Sequence, residues 1–318
     1  MAAPSDMNKT ILYCLLLHDN PRQTLRLLRA IYNRDDQFVL HVDRSAALDY
    51  VLLVTAISEA YPNITMLSNR VCSWGGFSLV EAEMDMLAAG LQSNRPWTHA
   101  AILSGTHLPA WPLNKFRDWL MKGSSCMSWY EFPHREVRPD HIWAGSVWDR
   151  FGWSYEEVPG IGMRRVASDM PPDFMYALGS QWVILARDHA AYALGSETAA
   201  IRDRLARTDI ADSAFFQSIL CNSPLRDRCD RKKNSTAVHW VEGEAHPRTF
   251  DLDEYAAFAK MSHSPFVRKI RENLGDETIV DETIQSLIGE VEEPHFREQV
   301  RSRLPKDDGV SGFIGDYY

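Results

Sequence analysis

Apolar and polar positions alternate between two periods along the first part of the chain. Ile11–Leu17 is an unbroken apolar run, the texture of a strand covered on both faces. It leads into His18-Asp19-Asn20-Pro21, where Asp19 or Asn20 can cap a helix starting near Pro21. Leu25, Leu28, Ile31 and Tyr32 then recur at helical spacing. Phe38–Val42 reads as a second strand, Ser45 to about Tyr61 as a second helix, and Asn63–Leu67 as a short third strand. This βαβαβ rhythm predicts a doubly wound α/β sheet. The second strand ends on His41-Val42-Asp43, a carboxylate where an apolar run stops. Open α/β sheets bind ligands at the carboxyl ends of their strands. Asp43 is therefore a candidate nucleotide contact, with a helix cap as the plainer alternative.

Further along, Val71-Cys-Ser-Trp-Gly-Gly-Phe-Ser78 contains paired glycines, which suit a tight turn or a close backbone approach to a ligand. A helix from about Leu79 to Gln92, a strand His99–Leu103 and a helix Lys115–Met121 follow. Periodicity weakens from Ser124 to Pro172, where Trp, Arg, Asp and Pro are scattered. Loops with short helices are expected there, forming an acceptor-binding insertion. Ala177–Ala186 and Ala237–Trp240 read as strands, Asp251–Met261 as a helix, and the charged end of the chain as helical before Gly309. The expectation is one catalytic domain over 1–275 with a tail over 276–318. No internal repeat is evident.

Composition narrows the class. Hydrophobic residues make up 45% and charged residues 24% of the 318, ordinary for a globular protein. A net charge of −9 argues against a broad nucleic-acid-binding surface but leaves room for a local basic pocket. Ten tryptophans suit sugar binding, since a ring face packs on C–H groups, although core packing accounts for many such residues. The five cysteines form no CxxC pair and no zinc spacing, which fits a reducing compartment. Asn8, Asn63 and Asn234 begin glycosylation sequons. The first apolar run is too short to span a membrane. The expected location is cytoplasmic, at most peripheral to a membrane; the alternative is a luminal domain of an anchored protein.

Leu27-Leu-Arg-Ala-Ile-Tyr with His41-Val-Asp43, Ser73-Trp-Gly-Gly, Leu103-Ser-Gly, Gly179-Ser-Gln-Trp, Asp212-Ser-Ala-Phe-Phe-Gln and Phe266-Val-Arg-Lys269 occur in that order. Together, over about residues 10–275, they resemble the core-2/I-branching β-1,6-N-acetylglucosaminyltransferases and the related peptide O-xylosyltransferases. The resemblance implies a GT-A-like fold, a Rossmann-type mixed sheet flanked by helices. It also implies inverting, metal-independent transfer of GlcNAc or xylose from a UDP-sugar to a glycan, glycolipid or small-molecule hydroxyl, with no cofactor. On the donor side it implies His18, Asp43, Ser73, Trp74, Gly75, Ser104, Gly105 and His107, with Arg248 and Lys269 as the cations on the diphosphate. On the acceptor side it implies Gln181, Trp182, Trp240 and Glu242.

Inverting transfer needs a base for the acceptor hydroxyl and positive charge for the leaving diphosphate. Asp251-Leu-Asp253 has the spacing of a metal-binding Asp-x-Asp but opens a helix, so it reads as a cap. The chain departs from the family pattern at two places. Pro-Asp-Glu, whose Glu is the base, is replaced by Ala211-Asp212-Ser213, and Ser-Gly-x-Asp-x-Pro carries His107 in place of Asp. Either Asp212 has become the base, or Glu131, Glu242 or His107 supplies it, or the site binds a nucleotide sugar or glycan without transfer. Modification of nucleic-acid hydroxyls is a lesser alternative, disfavoured by the net charge.

Overall fold

A computed structural model describes residues 9–132, 151, 153–159, 162–167, 174–241, 244 and 246–289. Its centre is a seven-stranded mixed sheet. Strands β1 (Ile11–Leu17), β2 (Gln37–Val42), β3 (Ile64–Leu67) and β4 (His99–Ser104) are parallel, in the spatial order β3–β2–β1–β4. The sheet continues past β4 with β11 (Ile184–Ala186), antiparallel to both its neighbours, then β6 (Ser125–Cys126) and β12 (Cys229–Asp230). Helices α1 (Pro21–Ile31), α2 (Leu48–Ala60) and α3 (Phe77–Gln92) make the crossovers between the parallel strands.

The apolar texture of β1 follows from this position. Ile11, Tyr13, Leu15 and Leu17 point into one core with Leu25, Leu28, Leu53 and Ile57 of α1 and α2. Leu12, Cys14 and Leu16 point into the opposite core with Val80, Met86 and Leu87 of α3. A strand packed on both faces has no polar positions. Pro21 opens α1, and the preceding Asn20 is left-handed with φ 61. The Asn20 side chain makes no cap hydrogen bond; it donates to Asp19 instead.

Three expectations about elements need amending; the strand expected over Ala237–Trp240 is confined to Thr236–Ala237. The single strand expected over Ala177–Ala186 is two strands in different sheets. β10 (Tyr176–Gly179) pairs with β7 (Trp129–Phe132), and a turn at Ser180, whose hydroxyl accepts from Trp182 N at 3.2 Å, separates it from β11. The described part of the 124–172 stretch includes strands as well as a helical Phe151, and residues 133–150, where much of the expected loop and helix falls, lie outside the described residues. β8 (Ser154–Val158) and β9 (Gly162–Ala167) form a hairpin, with a bulge between Ser154 and Tyr155 that breaks the alternation a sequence reader relies on. Asn63, proposed as a sequon, is buried; its amide donates to the Asn33 and Asp36 carbonyls.

The first turns of the expected tail join the main core. Helix α9 (Glu277–Ile288) buries Val280, Ile284 and Ile288 against the α1 side of the sheet. Its Glu277 pairs with Arg26, whose side chain is 2% exposed, and Asp281 pairs with Arg29 at 2.9 Å. At the other end of the sheet, α5 (Arg187–Leu194) packs a buried His189 against β6. Ser125 Oγ accepts from Ala186 N and lies 2.6 Å from His189 Nδ1.

Burial pulls the His189 imidazole down to about 4, below its ordinary 6.5. The unfolded chain therefore takes up a proton first as pH falls. The contribution of this group is constant above about pH 6.5 and becomes destabilising progressively between 6.5 and 4, by on the order of 2–3 kcal/mol. In urea melts, wild type should lose stability over this window, and His189→Gln should show a shallower acid slope.

Candidate functional site

The strand order reverses direction between β1 and β4, the switch point at which α/β sheets open a crevice at their carboxyl ends. The exits of β1, β2 and β4 carry His18, Asp43 and Ser104-Gly105. His18 is exposed, with Nε2 3.2 Å from Asp19. Gly105 N donates to Leu16 O at 3.2 Å, which sets the β4 exit against β1. Asp43 is 6% exposed. Its Oδ1 accepts from Ser45 N at 2.8 Å and Ser45 Oγ at 2.5 Å, and its Oδ2 accepts from Cys72 N at 2.8 Å. Burial would raise this carboxyl, but those hydrogen bonds outweigh it and hold Asp43 below the usual carboxylate range. Asp43 thus ties the turn before α2 and the loop after β3 to one strand end.

That loop is Ser73-Trp74-Gly75-Gly76. Ser73 N donates to Ser78 Oγ at 2.9 Å, closing it onto α3. Gly75 is left-handed with φ +73, and its carbonyl accepts from Ile210 N at 2.9 Å. Gly76 precedes α3, where Glu157 from the β8–β9 hairpin accepts from Ser78 N at 3.0 Å and Ser78 Oγ at 2.6 Å. A carboxylate at a helix N-terminus is favoured by the orphan N–H groups and the dipole. Trp74 is 65% exposed and sits edge-on to His246.

The bond to Gly75 places the next segment. Ile210 is a β-branched residue at φ 53, a conformation that costs on the order of 1–3 kcal/mol. It opens a 3₁₀ turn over Ala211–Ser213. The Ser213 hydroxyl donates to Ile210 O at 2.9 Å and belongs to this turn. Asp212 does not cap the following helix, α7 (Phe215–Cys221), which starts without a side-chain cap.

Facing Asp212 is a cation that the sequence quoted but did not assign. Arg268 is half-buried, with its Nε shielded from solvent and its guanidinium carbon 4.5 Å from the centre of the Trp182 ring. Burial lowers it to about 10, and the negative charge of Asp212 opposes that fall. Trp182, 7% exposed, meets His107 edge-on at 4.7 Å on a ring contact of its own. His107 Nδ1 accepts from Ser104 N at 3.0 Å and lies 3.0 Å from Ser104 Oγ. Burial, reinforced by Arg268, pushes this imidazole well below its ordinary range, so it is neutral, and Nδ1 lies 3.1 Å from Ser104 O as well. Nε2 has no hydrogen-bond partner among the described residues, and neither has Arg268 Nε.

Short-strand pairing assembles this group. β14 (Phe266–Val267) pairs antiparallel with β5 (Leu108–Pro109), and Ile270 N donates to Thr106 O at 2.9 Å. Arg268 N donates to Ala237 O at 3.1 Å, beside β13 (Thr236–Ala237). Phe250 N donates to Lys269 O at 2.7 Å, which brings the Arg248 segment alongside. Arg248 itself is half-exposed and paired with Glu254. Glu254 and Asp251 cap α8 (Leu252–Met261) reciprocally, so Asp251 is a helix cap as its position implied.

The remaining candidates are placed as follows. Glu131 accepts from Arg226 at 2.7 and 2.9 Å, Arg231 at 2.8 Å and Trp129 Nε1 at 3.1 Å. Burial raises it, but these donors prevail and hold it below its usual range, which makes it a weak base. Gln181 is turned inward, its amide 2.9 Å from the Glu83 carboxylate oxygen it donates to. Trp240 is 53% exposed. Glu242 lies outside the described residues. Glu83 was missed from sequence, although it sits among Val80, Met86 and Leu87 on the apolar stripe of α3, where a carboxylate is out of place. Among the described residues no cluster of three or more His, Cys, Asp or Glu is arranged to hold a metal.

A model of the Core-2/I-Branching enzyme family matches residues 11–263. A rat β-1,3-galactosyl-O-glycosyl-glycoprotein β-1,6-N-acetylglucosaminyltransferase 3 is 25% identical over 61% of this chain and 43% of its own. Its human counterpart is 24% identical over 79% of this chain and 57% of its own. The chain thus spans about half the length of these curated relatives. Among solved structures, the bifunctional glycosyltransferase WbbM covers 94% of this chain and 53% of its own at 11% identity, with a TM-score of 0.38, too loose a fit to bear on the site.

A Cβ at Gly76 would lie 2.5 Å from the Glu157 carboxyl carbon. Gly76→Ala should therefore detach the β8–β9 hairpin from α3 while the core stays folded. Amide exchange should quicken at Ser78, and global stability should fall by no more than about 2 kcal/mol, the range for a few partly exposed hydrogen bonds.

Proposed function

Since the chain belongs to the core-2/I-branching enzyme family, we propose that it transfers a sugar from a UDP-linked donor to a glycan hydroxyl, with inversion and without a metal. GlcNAc is the favoured sugar, from the activity named for the mammalian relatives. The observation that carries the reading is Arg268: a guanidinium over the Trp182 ring, shielded at Nε and within the field of the Asp212 carboxylate.

In this reading the acceptor oxygen attacks the anomeric carbon as the bond to the diphosphate oxygen breaks. Arg268 meets the charge that develops on the leaving diphosphate, where low dielectric makes a fixed cation most effective. Lys269, next in sequence, and Arg248, whose segment is bonded to Lys269, supply further positive charge. Fixed cations replace the metal that an Asp-x-Asp motif would hold; Asp251 is committed to the α8 cap, which supports this. Asp212 takes the acceptor's proton. Ser213, at the family's Glu position, is too weak a base near neutral pH, and its hydroxyl is engaged by Ile210 O. Neutral His107 offers its unpartnered Nε2 to a polar group of the donor sugar or nucleotide. Trp240, exposed on the strand-end segment before Arg248, offers an acceptor its ring face. The substitution at Ser213 favours one second reading, a site that binds nucleotide sugar without transferring it.

Arg268→Ala should lower kcat/KM on the order of a hundredfold or more and weaken UDP binding in calorimetry, with Tm checked to separate this from unfolding. Unchanged UDP affinity would remove the diphosphate assignment. Asp212→Asn should abolish transfer by roughly a hundredfold or more while UDP still binds. Tight UDP binding with no turnover of any donor by wild type, with and without EDTA, would favour the second reading.

A further inference from the structure

Glu83 has no part in the chemistry above, yet it is 0% exposed and lies on α3 beneath the Asp212 turn. Its Oε1 accepts from Gln181 Nε2 at 2.9 Å, and its Oε2 has no hydrogen-bond partner among the described residues. No cation pairs with it there. The groups that face it are the Asp212 carboxylate from the 211–213 turn, the Cys14 thiol from β1 and the Gln181 amide from the loop after β10. One of these is negative and two are neutral. A buried carboxylate with one neutral donor, no counter-ion and a like charge beside it takes up a proton. Burial, opposed by Gln181 and reinforced by Asp212, accordingly raises Glu83 well above its ordinary range.

The consequence is a charge balance. Arg268 contributes one positive charge and Asp212 one negative, while His107 is neutral. If Glu83 were ionised, the chamber would carry a second negative charge and repel a diphosphate. We propose that Glu83 is a positioning residue held as a neutral acid, which fixes Gln181 beside the Trp182–Arg268 stack and keeps Arg268 available to a nucleoside diphosphate. This rests on the assignment of the diphosphate to Arg268, but not on Asp212 being the base.

The test uses the full chain labelled with carbon-13 at glutamate carboxyls, and UDP as the probe. One glutamate should be protonated at neutral pH in wild type, and its signal should vanish in Glu83→Gln. UDP affinity of wild type should fall at alkaline pH in step with the movement of that signal, by about tenfold for a full like charge in the pocket, and Glu83→Gln should lack this fall. Glu83→Ala should weaken UDP binding, and Glu83→Gln, which keeps a neutral hydrogen-bonding group, should recover most of the loss. Full ionisation of every glutamate at neutral pH would overturn the proposal, even if Glu83→Gln failed to fold. So would a UDP affinity indifferent to the titration of that signal. Failure of the diphosphate assignment is seen separately, as unchanged UDP affinity in Arg268→Ala with the protonated glutamate still present.

Discussion

A guanidinium withdrawn from water has to be matched by its surroundings, and Arg268 is the group around which this molecule's crevice is matched. Desolvating an ion costs several kcal/mol even after relaxation. The return comes from three sides. Trp182 offers the face of its ring, Asp212 offers a carboxylate, and His107 is driven neutral rather than adding a second positive charge. Trp182 is fixed in turn by Ser235 Oγ, which donates to its carbonyl at 2.6 Å, and by the edge of His107. A cation held this way is poorly satisfied by the protein alone, which is the state expected of a group reserved for an anionic ligand.

The crevice is also mechanically continuous. Asp43 ties the end of β2 to Cys72, the Cys72–Ser78 loop closes on α3, and Gly75 O holds Ile210 in its strained conformation at the head of the Asp212 turn. The strand end expected to meet the nucleotide and the turn expected to meet the acceptor are therefore joined through a few backbone bonds. A left-handed isoleucine persists only where its surroundings over-determine it, and here the bond to Gly75 and the Ser213 hydroxyl both close the turn.

The two departures from the family pattern make sense together in this setting. His107 and Ser213 each stand where the family pattern has a carboxylate. Both changes remove negative charge from the neighbourhood of Arg268, and they leave Asp212 as the carboxylate that faces it. A proton-bearing Glu83 extends the same economy of charge to the underside of the chamber.

The parallel half of the sheet was legible because β1 and β2 are covered on both faces, so burial wrote continuous apolar runs into the chain. Asp43 could be picked out as the carboxylate at the end of such a run, whereas Ser104 and Gly105 were singled out by the family resemblance. The Asp251 cap was legible too, because capping is local. What the sequence could not determine is everything made by short or irregular strands. β5, β13 and β14 are two residues each and carry no period, yet their pairing sets the segment on which Arg268 reaches the Trp182 ring. The same holds for charge state. Glu131 and Glu83 are the same residue type, but two arginines hold one ionised while burial beside Asp212 keeps the proton on the other. Which carboxylate is a base, a counter-ion or a neutral acid depends on desolvation and neighbours distant in sequence, and only the tertiary structure brings those together.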